Sequence, residues 1–305
     1  MTRIAVALIA LLWSTSIIAA NEDDAALYRR GVTVLGEATQ ESHRTDGAAL
    51  IARAAAQGHA PAQYHLGFLY GEGRGVARNP GKATTWFRRA AEQGHAEAQF
   101  AVGLSLVNAA DKLEAAEWFQ RADDQGIADA QFQLALLYEK GTGIELNENK
   151  ARRLYEAAVA KNDTAAMFNL ALMRDQGRGG TADVEGALDL YIRAAQATLP
   201  EAQHALCEVL LDGRGVAPDL TKAAGWCAAA AQQGYAPAQM LLATFYALGR
   251  GMAVDEGRAV AWLSLAAEQK FPPAVKARED MLPRLSAKTR DRANKIIKEI
   301  GLRSE

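Results

Sequence analysis

The sequence predicts an all-α fold, a right-handed α-α superhelix (solenoid) of about seven helix-turn-helix repeats. Three observations carry that reading. A short segment recurs at a spacing of 36 residues, apolar positions inside each copy fall at helical spacing, and only 7% of the residues are aromatic in an alanine-rich chain. Closely packed helices suit that composition, whereas sheets would draw on β-branched and aromatic residues. At 305 residues, half of them hydrophobic and 23% charged, the chain has the balance of a soluble folded protein. A formal charge of −2 gives no global field for nucleic acid, and two cysteines exclude a disulfide-dense scaffold.

The first twenty residues stand apart. Arg3 precedes the apolar run Ile4 to Trp13, and Ile18-Ala19-Ala20 offers small residues for cleavage ahead of Asn21-Glu22-Asp23-Asp24. This is the pattern of a secretory signal peptide over residues 1–20, too short in its apolar run for a membrane span of about 20 residues. Its removal takes away Arg3 and leaves a charge of −3 (−2 minus the one positive charge). The expected location is therefore outside the cytoplasm, in the periplasm or the extracellular space.

The repeat is seen by laying Gly58-His59-Ala60-Pro61-Ala62-Gln63-Tyr64 over Gly94-His95-Ala96-Glu97-Ala98-Gln99-Phe100. Gly126-Ile127-Ala128-Asp129-Ala130-Gln131-Phe132 and Gly234-Tyr235-Ala236-Pro237-Ala238-Gln239-Met240 follow, with weaker copies from Glu22, Asn162 and Thr198. The units are 23–58, 59–94, 95–126, 127–162, 163–198, 199–234 and 235–270. Within a unit, Ala62 to Tyr70 reads as a first helix, Gly71-Glu72-Gly73-Arg74-Gly75-Val76 as a turn, and Lys82 to Gln93 as a second helix closed by Gly94. The third unit has 32 residues because it lacks the glycine turn and keeps both helices. In the first unit Gly36 to Gly47 is polar and lacks that turn, so His43 is placed in a loop. A hairpin of this kind cannot bury its apolar face alone and must stack on its neighbours.

The recurring set Ala-Gln-x-x-Leu-Gly-x-x-Tyr, Gly-x-Gly-Arg-Gly-Val, Lys-Ala, Trp-Phe and Ala-Ala-Glu-Gln-Gly resembles the Sel-1-like repeat family, relatives of the tetratricopeptide repeats, over about four-fifths of the chain. The resemblance implies a protein-binding scaffold or regulatory adaptor in the bacterial periplasm, meeting a protein or peptide, such as an envelope sensor or complex, on the concave helix surface. Some relatives are linked to cell-wall or β-lactam chemistry, which makes a hydrolase-like activity the alternative.

The residues themselves name no catalytic group. The five histidines offer no metal pair, no Gly-x-Ser-x-Gly elbow exists, and the acidic residues are scattered, so neither cofactor nor metal is expected and the chain reads as a non-enzyme. The Gly-x-Gly turns follow no strand and precede no Gly-Lys-Ser/Thr, which excludes a phosphate loop.

Two positions of the first helix are candidates for binding. The sixth reads Tyr28, Tyr64, Phe100, Phe132, Phe168, His204, Met240, and the tenth reads Val32, Phe68, Leu104, Leu136, Leu172, Glu208, Thr244. By likeness to tetratricopeptide repeats these line the inner wall. Tyr64, Phe68, Phe100, Leu104, Phe132, Leu136, Phe168, His204 and Glu208 form the candidate partner-binding set; the other reading is that the aromatics fill the groove between helices. The switch to His204, Glu208 and Thr244 predicts uneven contact along the repeats. The row Trp86, Trp118, Leu154, Leu190, Trp226, Trp262 reads as a core stack. The turn arginines Arg74, Arg178, Arg214 and Arg250 are read as solvated or bonded to local carbonyls. Cys207 and Cys227 fall in one hairpin, at the positions of Gly67 and Phe87 in the second unit. Some cysteine-rich secreted relatives bridge their two helices in this manner, although at other positions, so both a disulfide and a pair of buried thiols stay open for Cys207 and Cys227.

In the tail, Pro272-Pro273 is expected to break the period, Ala274 to Leu282 to form a closing helix, and Ser286 to cap a last helix ending at Gly301. Residues 271–305 hold nine Lys or Arg against five Asp or Glu, and their apolar side suits a cap on the repeat stack.

Overall fold

The computed structural model describes residues 23–108 and 111–301. The proposed signal peptide lies outside the described residues. Sixteen α-helices are present among the described residues, arranged as consecutive antiparallel pairs. The chain divides after Glu145 into two compact units. The first holds α1 (Asp24–Glu37), α2 (Glu41–Ala56), α3 (Ala60–Glu72), α4 (Pro80–Glu92), α5 (Ala96–Asn108), α6 (Lys112–Asp124) and α7 (Ala128–Lys140). The second holds α8 (Glu148–Ala160), α9 (Thr164–Gln176), α10 (Val184–Gln196), α11 (Pro200–Asp212), α12 (Leu220–Gln232), α13 (Ala236–Leu248), α14 (Glu256–Glu268), α15 (Pro272–Met281), a 3-10 turn at Leu282–Arg284 and α16 (Ala287–Gly301).

Alanine sets the spacing of the hairpins. The fourth residue of each unit from the second onward, Ala62, Ala98, Ala130, Ala166, Ala202 and Ala238, has no exposed surface, and neither has Ala90, Ala122, Ala158, Ala194, Ala230 or Ala266 on the second helices. A side chain of one carbon lets helix axes approach closely while it loses no rotamer entropy on burial. Between these rows Leu66, Val102, Leu134, Leu170, Leu206 and Leu242 supply the larger buried volume. In the first unit α2 packs on α3, α4 on α5, and α6 on α7, so each hairpin covers the face its predecessor leaves open.

The two glycines of the turn have different duties. Gly73, Gly141, Gly177, Gly213 and Gly249 close the first helix in the left-handed region, the conformation that glycine adopts without a side-chain clash. The next glycine is both left-handed and pressed against the preceding hairpin. A Cβ at Gly75, Gly179 or Gly251 would lie 2.1–2.3 Å from the carbonyl oxygen of Arg44, Glu148 or Leu220, each in the first turn of the preceding second helix. The turn is therefore a contact between repeats as well as a loop.

Four sequence expectations change. Polar Gly36 to Gly47 is mostly helix: α2 begins at Glu41, so His43 sits on a helix. Pro272 and Pro273 continue the period, because both occupy the first turn of α15, where the missing N–H has no intrahelical partner to lose. Ala274 is fully buried in the register of Ala62 and Ala238, so α15 stands as the first helix of an eighth unit. Trp118 and Trp262 are buried, but Trp86 and Trp226 are only half-buried, and an arginine one turn on lies over the rings of Trp86 and Trp118. Finally, Arg178 reaches Glu148 at 2.8 Å, Arg214 reaches Asp175 at 2.6 Å and Arg74 reaches the Leu35 carbonyl at 3.3 Å, so these turn arginines tie one repeat to the previous one.

At the end of the second unit, Ser286 accepts the Thr289 N–H at 3.1 Å and starts α16. Leu285 and Ala293 pack on Val260 and Ala261 of α14, with Met281, Leu282, Ile296 and Ile297 around them. Much of the apolar side of α16 thus packs on the last repeat, while Lys288, Lys295 and Lys298 face solvent.

Candidate protein-binding surface

The first helix of each hairpin carries the candidate residues, and the structure separates their two positions. The sixth is half-buried in every unit, from Tyr28 through Met240. In the first structural unit the Tyr64 ring stacks on His95 at 4.8 Å, meets Phe87 of its own hairpin at 5.7 Å and takes Phe68 edge-on at 5.0 Å. Phe100 sits 5.7 Å from Phe119, and Tyr28 sits 5.0 Å from His59. Sixth-position rings therefore fill the space between their own second helix and the start of the next hairpin. Burial raises the Tyr64 pKa, with Glu97 adding to it.

His59 and His95 cap the first helices that follow them. The Nδ1 of His59 accepts the Ala62 N–H at 3.2 Å, and that of His95 accepts the Ala98 N–H at 3.4 Å. His95 Nδ1 also lies 3.2 Å from Glu97, an ion pair only if the imidazole is protonated. Burial lowers the His95 pKa more than Glu97 raises it, and an accepting Nδ1 must be unprotonated, so the neutral cap is the form at neutral pH.

The tenth position is the accessible one. Phe68 is 43% exposed and Val32 38%, whereas Leu104 and Leu136 are half-buried. Phe68 lies on Phe87 at 5.3 Å, so its ring has a fixed apolar floor and an open outer surface. The first unit thus brings Tyr64, Phe68, Phe100, Leu104, Phe132 and Leu136 onto the same face of successive first helices.

In the second unit that face changes chemistry. Phe168 still leans on Tyr191 at 6.2 Å, but His204 meets Tyr235 at 5.5 Å and its Nδ1 stands 3.7 Å from Glu208, which is exposed. Burial lowers the His204 pKa against the opposing effect of Glu208. Burial and the nearby Asp175 carboxylate push the Tyr191 hydroxyl up.

Sequence reasoning passed over four buried glutamines. Gln63, Gln99, Gln203 and Gln239 are 4–6% exposed. Each donates its amide to a carbonyl eight residues back, on Ala55, Ala91, Ala195 or Ala231, at 3.1–3.2 Å. Each then accepts, at 2.6–2.9 Å, from the glutamine that ends its own hairpin: Gln93, Gln125, Gln233 and Gln269. One side chain thereby joins the end of the preceding hairpin to the end of its own. The signal was the Gln of Ala-Gln recurring beside the Gln of Gln-Gly.

A second pattern relates Cys207 to Cys227. At the ninth position and its partner on the second helix stand Gly67 and Phe87, then Gly103 and Phe119, with a built Cβ at Gly67 or Gly103 lying 2.5 Å from the ring. The same two positions hold Ala135 and Tyr155, Ala171 and Tyr191, Cys207 and Cys227, and Ala243 and Leu263. Small faces large, and two intermediate thiols fill the slot in α11 and α12. Both cysteines are free and buried, and the Cys227 thiol donates to the Ala238 carbonyl at 3.3 Å. The hydrogen bond with Cys207, then burial, pushes the Cys227 pKa up.

Among the described residues no group of three or more His, Cys, Asp or Glu is placed to hold a metal ion, and no helix is long and apolar enough to cross a membrane.

Comparison with known proteins matches this geometry to a family. The Sel1 repeat profile fits residues 60–95, 96–127, 128–163, 164–199, 200–235 and 236–271, six repeats displaced by one residue from the units read in the sequence. The first hairpin, α1 and α2, precedes the matched segments. Among solved structures, the c5321 protein of uropathogenic Escherichia coli, described as a protective antigen displaying an SLR fold, superposes with a TM-score of 0.84 at 28% identity. The match covers 92% of this chain and 62% of that one, so the chain spans less than two thirds of its length. A Sel1 repeat protein from Oxalobacter formigenes gives 0.71 at 29% identity, covering 81% of this chain and 97% of that one. No curated protein matches the chain. With the profile fitting well over half of its residues, the chain belongs to the Sel1 repeat family.

Proposed function

We propose that the protein is a non-enzymatic scaffold of the bacterial periplasm that binds an extended or helical segment of a partner protein through the first-helix face of its amino-terminal unit. The observation that carries this is the exposure of Val32 and Phe68 at successive tenth positions, beside Tyr64 and the half-buried Leu104 and Leu136. Large apolar side chains left open in register on adjacent hairpins form a surface whose burial against apolar partner residues is favourable. Extended helical-repeat surfaces supply contact area without chemistry, and the family likeness supports the same role. His204 and Glu208 give the carboxy-terminal unit a more polar version of this face, so the apolar contact is assigned to the amino-terminal unit alone.

The test is crosslinked capture from an envelope fraction, comparing the wild type with Val32→Ser/Phe68→Ser. Both side chains are exposed, so thermal stability should stay near that of the wild type while the captured partner is lost. Undiminished capture by the double variant would remove the assignment of this face.

A further inference from the structure

The carboxy-terminal unit holds a cavity of about 550 Å³ that the proposed partner face does not use. It lies where α16 covers α12, α13 and α14, and its lining includes Gln232, Tyr246, Arg258, Trp262, Ile296, Glu299 and Ile300. Its volume falls within the range of sites that enclose small molecules, roughly 300–1,000 Å³.

The lining brings three donors together, beside the Gln232 and Gln233 amides and the Glu299 carboxylate at the edge. Trp118 in the first unit gives its indole N–H to Glu114, four residues earlier, at 3.0 Å. At Trp262 the residue four earlier is Arg258, itself a donor, and the indole N–H, on a residue 6% exposed, gives to no described residue and stays open to solvent. Arg258 gives one N–H to the Tyr246 oxygen at 3.1 Å, which leaves the Tyr246 hydroxyl proton free to donate elsewhere. The guanidinium keeps further N–H groups beyond that bond and a 3.7 Å approach to Asp255, and its side chain is 53% exposed. Three donors, one of them cationic, therefore stand beside the apolar side chains of Ile296 and Ile300. Donors gathered beside an apolar wall are the pattern of a site that takes an acceptor attached to an apolar body.

We infer that this cavity binds a small monocarboxylate carrying an apolar group, with the carboxylate on Arg258, Tyr246 and Trp262 and the apolar body against Ile296 and Ile300. A planar guanidinium is the side chain best matched to a carboxylate. Glu299 at the edge opposes a second negative charge, so dicarboxylates are disfavoured. The same chemistry is offered by a free aromatic or acyl acid and by the carboxy-terminal residue of a peptide, and the probes separate these sources.

Calorimetric titration of the full chain with N-acetylphenylalanine, decanoate and N-acetylphenylalaninamide is the first measurement. Binding of either acid together with at least tenfold weaker binding of the amide is expected; the acyl-amino acid binding alone would assign a peptide terminus, and decanoate alone a free acid. The site is read directly from the indole N–H signals of ¹⁵N-labelled protein, assigned with Trp262→Phe: the Trp262 signal should move on titration and that of Trp118 should not. Arg258→Gln should weaken the acid at least tenfold with an unchanged melting temperature, and Glu299→Gln should tighten it. Amide and acid binding alike, a Trp262 signal that stays still, or an Arg258→Gln variant that binds as well as the wild type would each overturn the assignment. Should Arg258→Gln unfold the protein, the Trp262 signal and the Glu299→Gln variant decide the matter.

Discussion

Substituting Gly103 by alanine tests whether the small-faces-large slot fixes the distance between paired helices. Two effects compete at this position. In an exposed helix alanine is favoured over glycine by about 1 kcal/mol. Here the new Cβ would lie 2.5–3.0 Å from three atoms of the Phe119 ring, and Phe119 is fully buried, so the ring has nowhere to retreat. Overpacking a filled core costs about 1–3 kcal/mol, which leaves a net loss of about 0–2 kcal/mol for Gly103→Ala. The overlap belongs to the pair, so Gly103→Ala should become neutral or stabilising once Phe119→Leu has opened the slot, as Ala243 opposite Leu263 already stands in α13 and α14. The coupling between the two substitutions is then about 2 kcal/mol. Gly225→Ala is the control: it lies mid-helix in α12 with nothing within 4 Å of its Cβ, and should stabilise by about 1 kcal/mol. Urea unfolding followed by circular dichroism measures all four variants, with hydrogen exchange of α5 and α6 to keep the effect local in a chain of stacked repeats. Equal effects of Gly103→Ala in both backgrounds would refute the slot as the determinant of helix spacing.

Further outcomes follow from single positions. Thr198 holds φ of 65° where four other hairpins end in Gly58, Gly94, Gly126 and Gly234, a strained state for a β-branched residue, so Thr198→Gly should raise stability by about 1 kcal/mol in thermal unfolding. Gln239→Ala removes a buried amide that links Ala231 and Gln269, and should cost about 1–3 kcal/mol in urea unfolding, whereas Gln232→Ala, on an exposed site, should stay within about 0.5 kcal/mol. Cys207 and Cys227 face each other in α11 and α12 as free buried thiols, so alkylation after denaturation and non-reducing mass spectrometry should find two modified thiols; a mass two units lower with neither alkylated would overturn the thiol pair.

The sequence made the hairpins legible because their signals are repeated. A glycine or an alanine at one position says little, but the same residue at six positions in phase identifies a turn or a helix contact. Legibility failed where one unit departs from the rest. Pro272-Pro273 looked like a break since proline interrupts helices, yet the first turn tolerates it, and Ala274 was the register mark that told the two apart. The polar Gly36 to Gly47 hid the start of α2, because its first turns, from Glu41 to Asp46, face solvent and carry no apolar period. The glutamine links escaped notice for a different reason: a polar residue on a helix is normally a surface residue, and only the pairing of two glutamines 26 or 30 residues apart marks these as buried. As for the candidate surface, the sequence placed the sixth and tenth positions together, but only coordinates separate the anchored rings from the open ones.

That separation bears on how such a chain can acquire a partner. The fourth-position alanines, the paired glutamines and the second turn glycine each touch two successive hairpins, so none can vary without disturbing a neighbour. The tenth position touches its own hairpin on one side and water on the other, as Phe68 does on Phe87, and its identity is constrained only by what approaches from outside. Substituting it should cost little stability, since exposed positions usually change it by under about 0.5 kcal/mol. In the amino-terminal unit Val32 and Phe68 hold this position exposed, with the half-buried Leu104 and Leu136 continuing it, so apolar surface is left in water. The carboxy-terminal unit holds Leu172 at this place and then the polar Glu208 and Thr244, so the repeat tolerates polar residues there. Apolar side chains in register on successive first helices, two of them open to solvent, are the physical reason for assigning recognition to this face.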